Sequence, residues 1–180
     1  DKLTDMAYFD TLTKLPNRLQ FEKFCLETIE ESKKEYKKFA LVYLDIDNFK
    51  HVNDTLGHWA GDNLLKEVAS ALKSLVKKPN FVARVSGDEF VIILKDIQST
   101  EDVIAQTDTI VSEIRRSWTF KNHEFFISIS VGISMFPEHG KDMETLLKQP
   151  NVLRRKTAAF STLDGETVYY QIAHTALNNK

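Results

Sequence analysis

Phe39-Ala40-Leu41-Val42-Tyr43-Leu44-Asp45-Ile46-Asp47 is the stretch on which the fold turns. It is apolar almost without a break and then ends in acid. A strand with one wet face alternates apolar with polar residues. A short unbroken apolar run instead fits a central strand covered on both faces. A carboxylate at the end of such a strand is expensive to desolvate unless a cation or a donor compensates. Open α/β sheets bind ligands at strand ends, so Asp45 marks the place to look. Asp45 and Asp47 are two apart and point the same way if the strand continues; a bend after Asp45 breaks that equivalence.

The flanking segments supply the layers. Leu3, Met6 and Ala7 have helical spacing and form an N-terminal lead-in over residues 3–18. Pro16 pushes Leu15 out of the helical region, so Leu15-Pro16-Asn17-Arg18 reads as a turn, with Asn17 as N-cap of a helix from Arg18 to about Lys33. Its apolar stripe is Leu19, Phe21, Phe24 and Ile29, widened by Cys25 and Leu26. Downstream, a helix is expected from Ala60 to Val76. Strands follow at Phe81–Val85 and Phe90–Leu94, joined tightly through Ser86-Gly87-Asp88-Glu89. A helix from Glu101 to Ser117, capped by Ser99 or Thr100, precedes one long strand from Phe125 to Ser134. The Pro137-Glu138-His139-Gly140 turn leads to a short helix at Met143–Lys148 that Pro150 stops. A last strand is expected at Thr167–Tyr170, with a frayed tail beyond about Ala176. This order predicts one α/β domain over residues 1–180, with a mixed central sheet flanked by helices. Crossover helices should give some parallel pairing, and the Gly87 hairpin is antiparallel.

Composition narrows the class. A chain of 180 residues with 42% hydrophobic and 28% charged content can bury one full core and is not disordered. A formal charge of -2 gives no general attraction to a nucleic-acid backbone, so nucleic acid is not expected as a partner. Cys25 is alone and reads as a small buried hydrophobe. The apolar runs are far shorter than a membrane span, and Asp1-Lys2-Leu3-Thr4-Asp5 is not a signal peptide. A cytoplasmic domain without direct membrane contact is expected. Its abrupt start reads as a piece of a longer protein whose other parts hold a sensor or a membrane anchor.

Asp88 and Glu89 form a second acidic pair at a hairpin tip. If that hairpin neighbours the Asp45 strand, the two pairs make an oxygen-rich site suited to magnesium and phosphate rather than zinc. The plainer alternative has Asp45 and Asp47 capping the next helix while Asp88 and Glu89 sit in a solvated turn. In Asn48-Phe49-Lys50, a helical start directs backbone N–H groups at phosphate, and Lys50 is either a mobile phosphate partner or ordinary surface charge. Asn53 and Asp62 are candidates for a base edge, since an amide donates and accepts while a carboxylate accepts the N1–H and amino hydrogens of guanine. The five histidines show no metal-ligand spacing; His58 and His139 read as turn or solvated positions, and Trp59 and Trp118 as packing anchors.

Asp10-Thr11-Leu12-Thr13, Asp45-Ile46-Asp47-Asn48-Phe49-Lys50, Ser86-Gly87-Asp88-Glu89-Phe90 and Ser130-Val131-Gly132-Ile133-Ser134 are blocks that together resemble the GGDEF (diguanylate cyclase) family. Asp10-Thr11-Leu12-Thr13-Lys14-Leu15-Pro16-Asn17-Arg18 resembles the family's opening signature. Asp45-Ile46-Asp47-Asn48-Phe49-Lys50, then Asn53-Asp54-Thr55-Leu56-Gly57-His58 and Gly61-Asp62, resemble its central block. Arg84-Val85-Ser86-Gly87-Asp88-Glu89-Phe90 resembles the naming motif with serine for its first glycine. Ser130-Val131-Gly132-Ile133-Ser134 and Pro137-Glu138-His139-Gly140 match a later strand and turn. The resemblance implies a polymerase-palm and nucleotide-cyclase type of fold. It also implies condensation of two GTP into cyclic di-GMP with release of pyrophosphate, across a homodimer of domains. Carried over by position, Asp45 and Asp88 with the Ile46 carbonyl would hold Mg2+ (or Mn2+). Glu89 would lie near the metal and the attacking 3′-hydroxyl, where it would assist deprotonation or hold a second metal, and Asp88, Glu89 and Lys50 would be the catalytic residues. Asn48, Phe49, Lys50, Ser86 and Gly87 would line the phosphates, and Asn53 and Asp62 would read guanine.

The chain departs from the family pattern in three places. Ser86 is small and keeps the hairpin feasible. Lys77 and Asn80 stand where the family's product-binding R-x-x-D has arginine and aspartate, so tight product inhibition is not expected. After Leu147, an ungapped match puts Ala158 and Thr162 where a phosphate-binding lysine and an arginine belong, with Arg154, Arg155 and Lys156 nearby. That atypical 150–180 segment implies a second reading, a catalytically weak GTP-binding regulatory domain.

Overall fold

In the computed structural model, which describes residues 2–114, 117–127 and 129–148, the strand at Phe39–Ile46 lies where the apolar run places it, and only Asp45 within it is part-exposed. In chain order the elements are α1 (Lys2–Tyr8), α2 (Arg18–Glu35), β1 (Phe39–Ile46), α3 (Phe49–Leu56), α4 (His58–Leu75), β2 (Phe81–Ser86) and β3 (Glu89–Leu94). Then come α5 (Thr100–Ile114), β4 (Ser117–Phe120), β5 (His123–Phe126), β6 (Ile129–Phe136) and α6 (143–148). Four strands form one sheet in the order β2-β3-β1-β6, and β4 and β5 pair separately.

The central sheet flanked by helices agrees with the α/β expectation. The parallel pairing does not form: every ladder among the described residues is antiparallel. The α3–α4 crossover does return β2 in the direction of β1, but β3 folds back into the gap between them. Likewise β6 runs with β3, and β1 separates the two. This is the split βαβ arrangement, in which each crossover links co-directional strands that never touch.

Covering β1 on both faces produces two cores. Ala40, Val42, Leu44 and Ile46 face α4 and α5, packing in one cluster with Leu64, Val68, Leu72, Val111 and Ile114. Leu41 and Tyr43 share the opposite cluster with Phe21, Cys25 and Ile29 of α2 and Leu146 of α6. Each fully buried side chain of this kind contributes about 1.5–3 kcal/mol. Burial also pushes the Cys25 thiol pKa up to about 12, so Cys25 acts as a small hydrophobe.

Local chemistry sets the helix ends. The Asn17 side chain accepts the Gln20 amide at 3.1 Å, an N-cap worth about 1 kcal/mol. Leu19 and Leu26 are 53% and 52% exposed, so the α2 stripe is narrower than its sequence suggested. They lie seven apart on the flank of the helix, beyond reach of the sheet. Ser99 caps α5, its hydroxyl accepting the Asp102 amide at 3.2 Å.

The helix α5 ends at Ile114, and Ser117 begins β4 instead of closing the helix. The expected Phe125–Ser134 strand is two strands, β5 and β6. β5 returns on β4 through Lys121-Asn122, at φ 47° and 65°, a two-residue turn that suits strand twist. Trp118 is buried and its indole N–H donates to the Ile114 carbonyl at 3.1 Å, as a packing anchor should. Trp59, in contrast, is 82% exposed and anchors no core. The Pro137–Gly140 turn stands where expected, with the His139 ring Nδ1 accepting the Met135 amide at 2.8 Å. Pro150, the strand at Thr167–Tyr170, Ala158, Thr162 and Arg154 to Lys156 lie outside the described residues.

Candidate functional site

Sheet register brings the two acidic pairs to one end of the molecule. Asp45 sits opposite Glu89 on β3 and opposite Ser130 on β6. Asp88 immediately precedes Glu89, and its carbonyl accepts the Ile46 amide at 3.3 Å. Directly opposed residues of an antiparallel pair share a face with their Cβ atoms about 4.5–5.5 Å apart, so the Asp45 and Glu89 carboxylates are neighbours. Asp47 has left the strand for the turn before α3. Its carboxylate nevertheless accepts a short hydrogen bond from the Ser130 hydroxyl, Asp45's partner across the ladder. Asp45 and Asp47 therefore stay on one side although the strand has ended.

The chain crosses the end of the sheet at this turn. Asn48 is left-handed, at φ 57°, and its carbonyl accepts the first helical bond of α3 from His51 at 2.9 Å. The amides of Phe49 and Lys50 stand ahead of that bond, at the electropositive end of the helix. Asn48 and Lys50 are exposed and Phe49 is half-buried. Gly57, at φ 90°, ends α3 and turns the chain directly into α4.

Gly61 then explains how Asn53 comes to the turn that carries Asp62. A methyl group on Gly61 would overlap the Asn53 carboxamide oxygen and come within 3.2 Å of the Phe49 ring. Only glycine lets α3 approach α4 this closely, and that approach sets the Asn53 amide beside the residue preceding Asp62. The two candidate base readers, nine apart in sequence, lie on neighbouring turns.

A clasp holds the hairpin tip. The Arg84 guanidinium contacts both Asp10 carboxylate oxygens at 3.1 and 3.0 Å, and its Nε donates to the Gly87 carbonyl at 2.8 Å. The Arg84 amide donates to the Pro16 carbonyl at 3.0 Å. Asp10 also accepts from the Thr13 amide at 2.8 Å and its hydroxyl at 2.7 Å. Burial works against the Asp10 charge, but the bonds from Thr13 and Arg84 outweigh it and hold the carboxyl below its ordinary value. Sequence reasoning assigned Asp10 and Arg84 no role. Both lie inside quoted motifs, but their 74-residue separation hides the contact. Gly87 needs its φ of 37°, whereas Ser86 is not among the residues at positive φ, so serine fits there without strain.

Asp45, Asp88, Glu89 and the Ile46 carbonyl are hard oxygen donors, the chemistry magnesium takes. Among the described residues no group of three or more His, Cys, Asp or Glu is placed to hold a metal by itself. Magnesium that arrives with a nucleotide uses one or two protein carboxylates and completes its shell with phosphate and water, so this donor set fits that mode. At the Lys77 and Asn80 positions, Lys77 is exposed and the Asn80 side chain accepts the Lys95 amide at 2.9 Å.

Known proteins resemble this chain in sequence and fold. The family described as diguanylate cyclase, GGDEF domain, matches residues 7–154. The chain is 34% identical over 81% of its length to the bifunctional diguanylate cyclase/cyclic di-GMP phosphodiesterase MucR of Pseudomonas aeruginosa. It is 32% identical over 87% of its length to the cyclic di-GMP phosphodiesterase NbdA of the same organism. It spans 21% and 20% of those two proteins. A crystal structure of a sensory box/GGDEF family protein from Caulobacter crescentus superposes with a TM-score of 0.78 at 30% identity, covering 83% of this chain and 96% of that one. With its motifs gathered at one sheet end and matched across most of its length, this chain belongs to the GGDEF domain family.

Proposed function

We propose that this domain binds magnesium–GTP at the end of β1 and acts as a regulatory module in cyclic di-GMP signalling, with weak diguanylate cyclase turnover. The reading is supported by the placement of Asp45 opposite Glu89 beside the Asp88 hairpin tip, and by the packing of Asn53 against Gly61, the residue before Asp62. Asp45 and Asp88 orient the metal–triphosphate, and the amides opening α3 together with Lys50 receive phosphate oxygens. Asn53 and Asp62 select guanine by its edge. Bound magnesium neutralises triphosphate charge and lowers the pKa of an attacking hydroxyl. Each domain holds one GTP, so condensation requires two copies facing each other.

The regulatory emphasis rests on two observations. The relatives include a protein named as a phosphodiesterase as well as one named as a bifunctional cyclase/phosphodiesterase, each about five times longer than the match. In addition, Ala158 and Thr162 replace two expected cations. Losing one cationic phosphate contact costs about 10²-fold in rate. Linked sensor or effector domains are part of the proposal. Full cyclase activity is the second reading, favoured by the intact Asp45, Lys50, Asn53, Asp62, Asp88 and Glu89.

Calorimetric titration with magnesium–GTP, followed by product chromatography across protein concentration, separates these readings. Saturable GTP binding with slow, concentration-dependent cyclic di-GMP formation is expected. Rapid turnover per subunit would move the assignment to a full cyclase, and no GTP binding would overturn both.

A further inference from the structure

Trp59 is a large aromatic side chain left 82% exposed, and no described core uses it. It is the second residue of α4, in the same turn as Gly61 and Asp62. Residues three apart on a helix are surface neighbours, about 5–6 Å between Cβ atoms, so Trp59 and Asp62 occupy adjacent positions on the exposed side of α4. Trp59, Asp62 and Lys66 form one exposed stripe, while Ala60, Gly61, Leu64 and Leu65 turn inward. The Asn53 carboxamide reaches the same turn against Gly61.

From this juxtaposition we infer that Trp59 stacks on the face of the purine whose edge Asn53 and Asp62 read. The inference rests on the GTP-binding reading and adds to it a determinant of affinity. In-plane hydrogen bonds from an amide and a carboxylate fix the identity of a base but leave its two faces in water. An indole laid on one face removes apolar surface from both partners. The division of labour is specific: every base has a π-face, so stacking tightens binding without choosing the base, whereas the edge contacts choose it.

The test uses the whole chain and 3′-deoxy-GTP, which cannot condense because it lacks the attacking hydroxyl, together with its inosine counterpart, which lacks the exocyclic amine that would donate a hydrogen bond to Asp62. Trp59→Ala should weaken both analogues by at least about fivefold and leave their affinity ratio unchanged. Trp59→Phe should recover most of the loss, and Asp62→Ala should narrow the ratio. Wild-type emission should change on nucleotide addition while that of Trp59→Phe, which reports buried Trp118 alone, should not. Unchanged affinity in Trp59→Ala overturns the stacking, even if self-association weakens, because the indole would then serve a facing copy. An altered ratio in Trp59→Ala also overturns it. If wild-type protein binds neither analogue, the GTP-binding reading fails and this inference with it.

Discussion

Asp10→Asn removes one charge at the clasp that holds the hairpin tip, and its effect can be worked from the geometry. The Arg84 and Asp10 side chains are 15% and 20% exposed. An ion pair in full solvent is worth less than about 1 kcal/mol, and breaking a fully buried one costs about 3–5 kcal/mol. This pair lies between those limits. The amide keeps a single oxygen for Thr13 and Arg84 and converts charge-assisted bonds, each worth about 1.5–3 kcal/mol, into neutral ones. A loss of about 2 kcal/mol follows, or about 4–8 °C in melting midpoint for a domain of this size.

The pH dependence has a definite sign. A carboxyl more acidic when folded than when unfolded contributes stability above its unfolded pKa, near 4, and loses it as pH falls through the folded value. The gap between wild type and Asp10→Asn should therefore be full at pH 7 and shrink below about pH 4. Thermal melts followed by circular dichroism at several pH values measure it. A midpoint within about 1 °C of wild type at pH 7, or a gap that does not vary with pH, would refute the clasp.

Other substitutions probe the site one contact at a time. Gly61→Ala forces Asn53 away from α4, an overpacking change of about 1–3 kcal/mol that should weaken GTP binding in calorimetry more than it lowers the melting midpoint. Gly87→Ala meets no neighbour within 4 Å, so only its positive φ is penalised; about 1 kcal/mol is expected in denaturant melts, against less than about 0.5 kcal/mol for Ser86→Gly. Ser130→Ala removes one hydrogen bond from the Asp47 carboxylate and loosens the turn before α3, which should raise the Kd for GTP several-fold with little change in melting.

Features set by short-range chemistry were legible in the sequence. The unbroken apolar run of β1, the Asn17 cap, the Gly87 hairpin and the turn before α6 each depend on residues within a few positions of one another. Tertiary placement was not legible. The stretch from Phe125 to Ile133 carries no proline and no charge, and its serines at 128 and 130 alternate with apolar residues as they would in one continuous strand, so nothing in it announces that β5 pairs with β4 while β6 pairs with β1. Crossover helices imply co-directional strands but not which strand fills the gap between them. Trp59 reads as core by residue type alone, and only its position on the exposed side of α4 places it in water. Asn53 and Asp62 were identifiable as candidates, but the packing of Asn53 against Gly61, next to Asp62, is a contact between two helices that the sequence does not announce.

A double-mutant cycle on Asp45 and Asp88 tests most directly whether one strand end and one hairpin tip grip a single magnesium–triphosphate. Magnesium–GTP affinity is measured by calorimetry for wild type, Asp45→Asn, Asp88→Asn and the double variant. Two carboxylates sharing one ion should couple, so the double variant should bind little worse than the weaker single variant. Strictly additive losses, or GTP affinity indifferent to both substitutions, would contradict a shared ion.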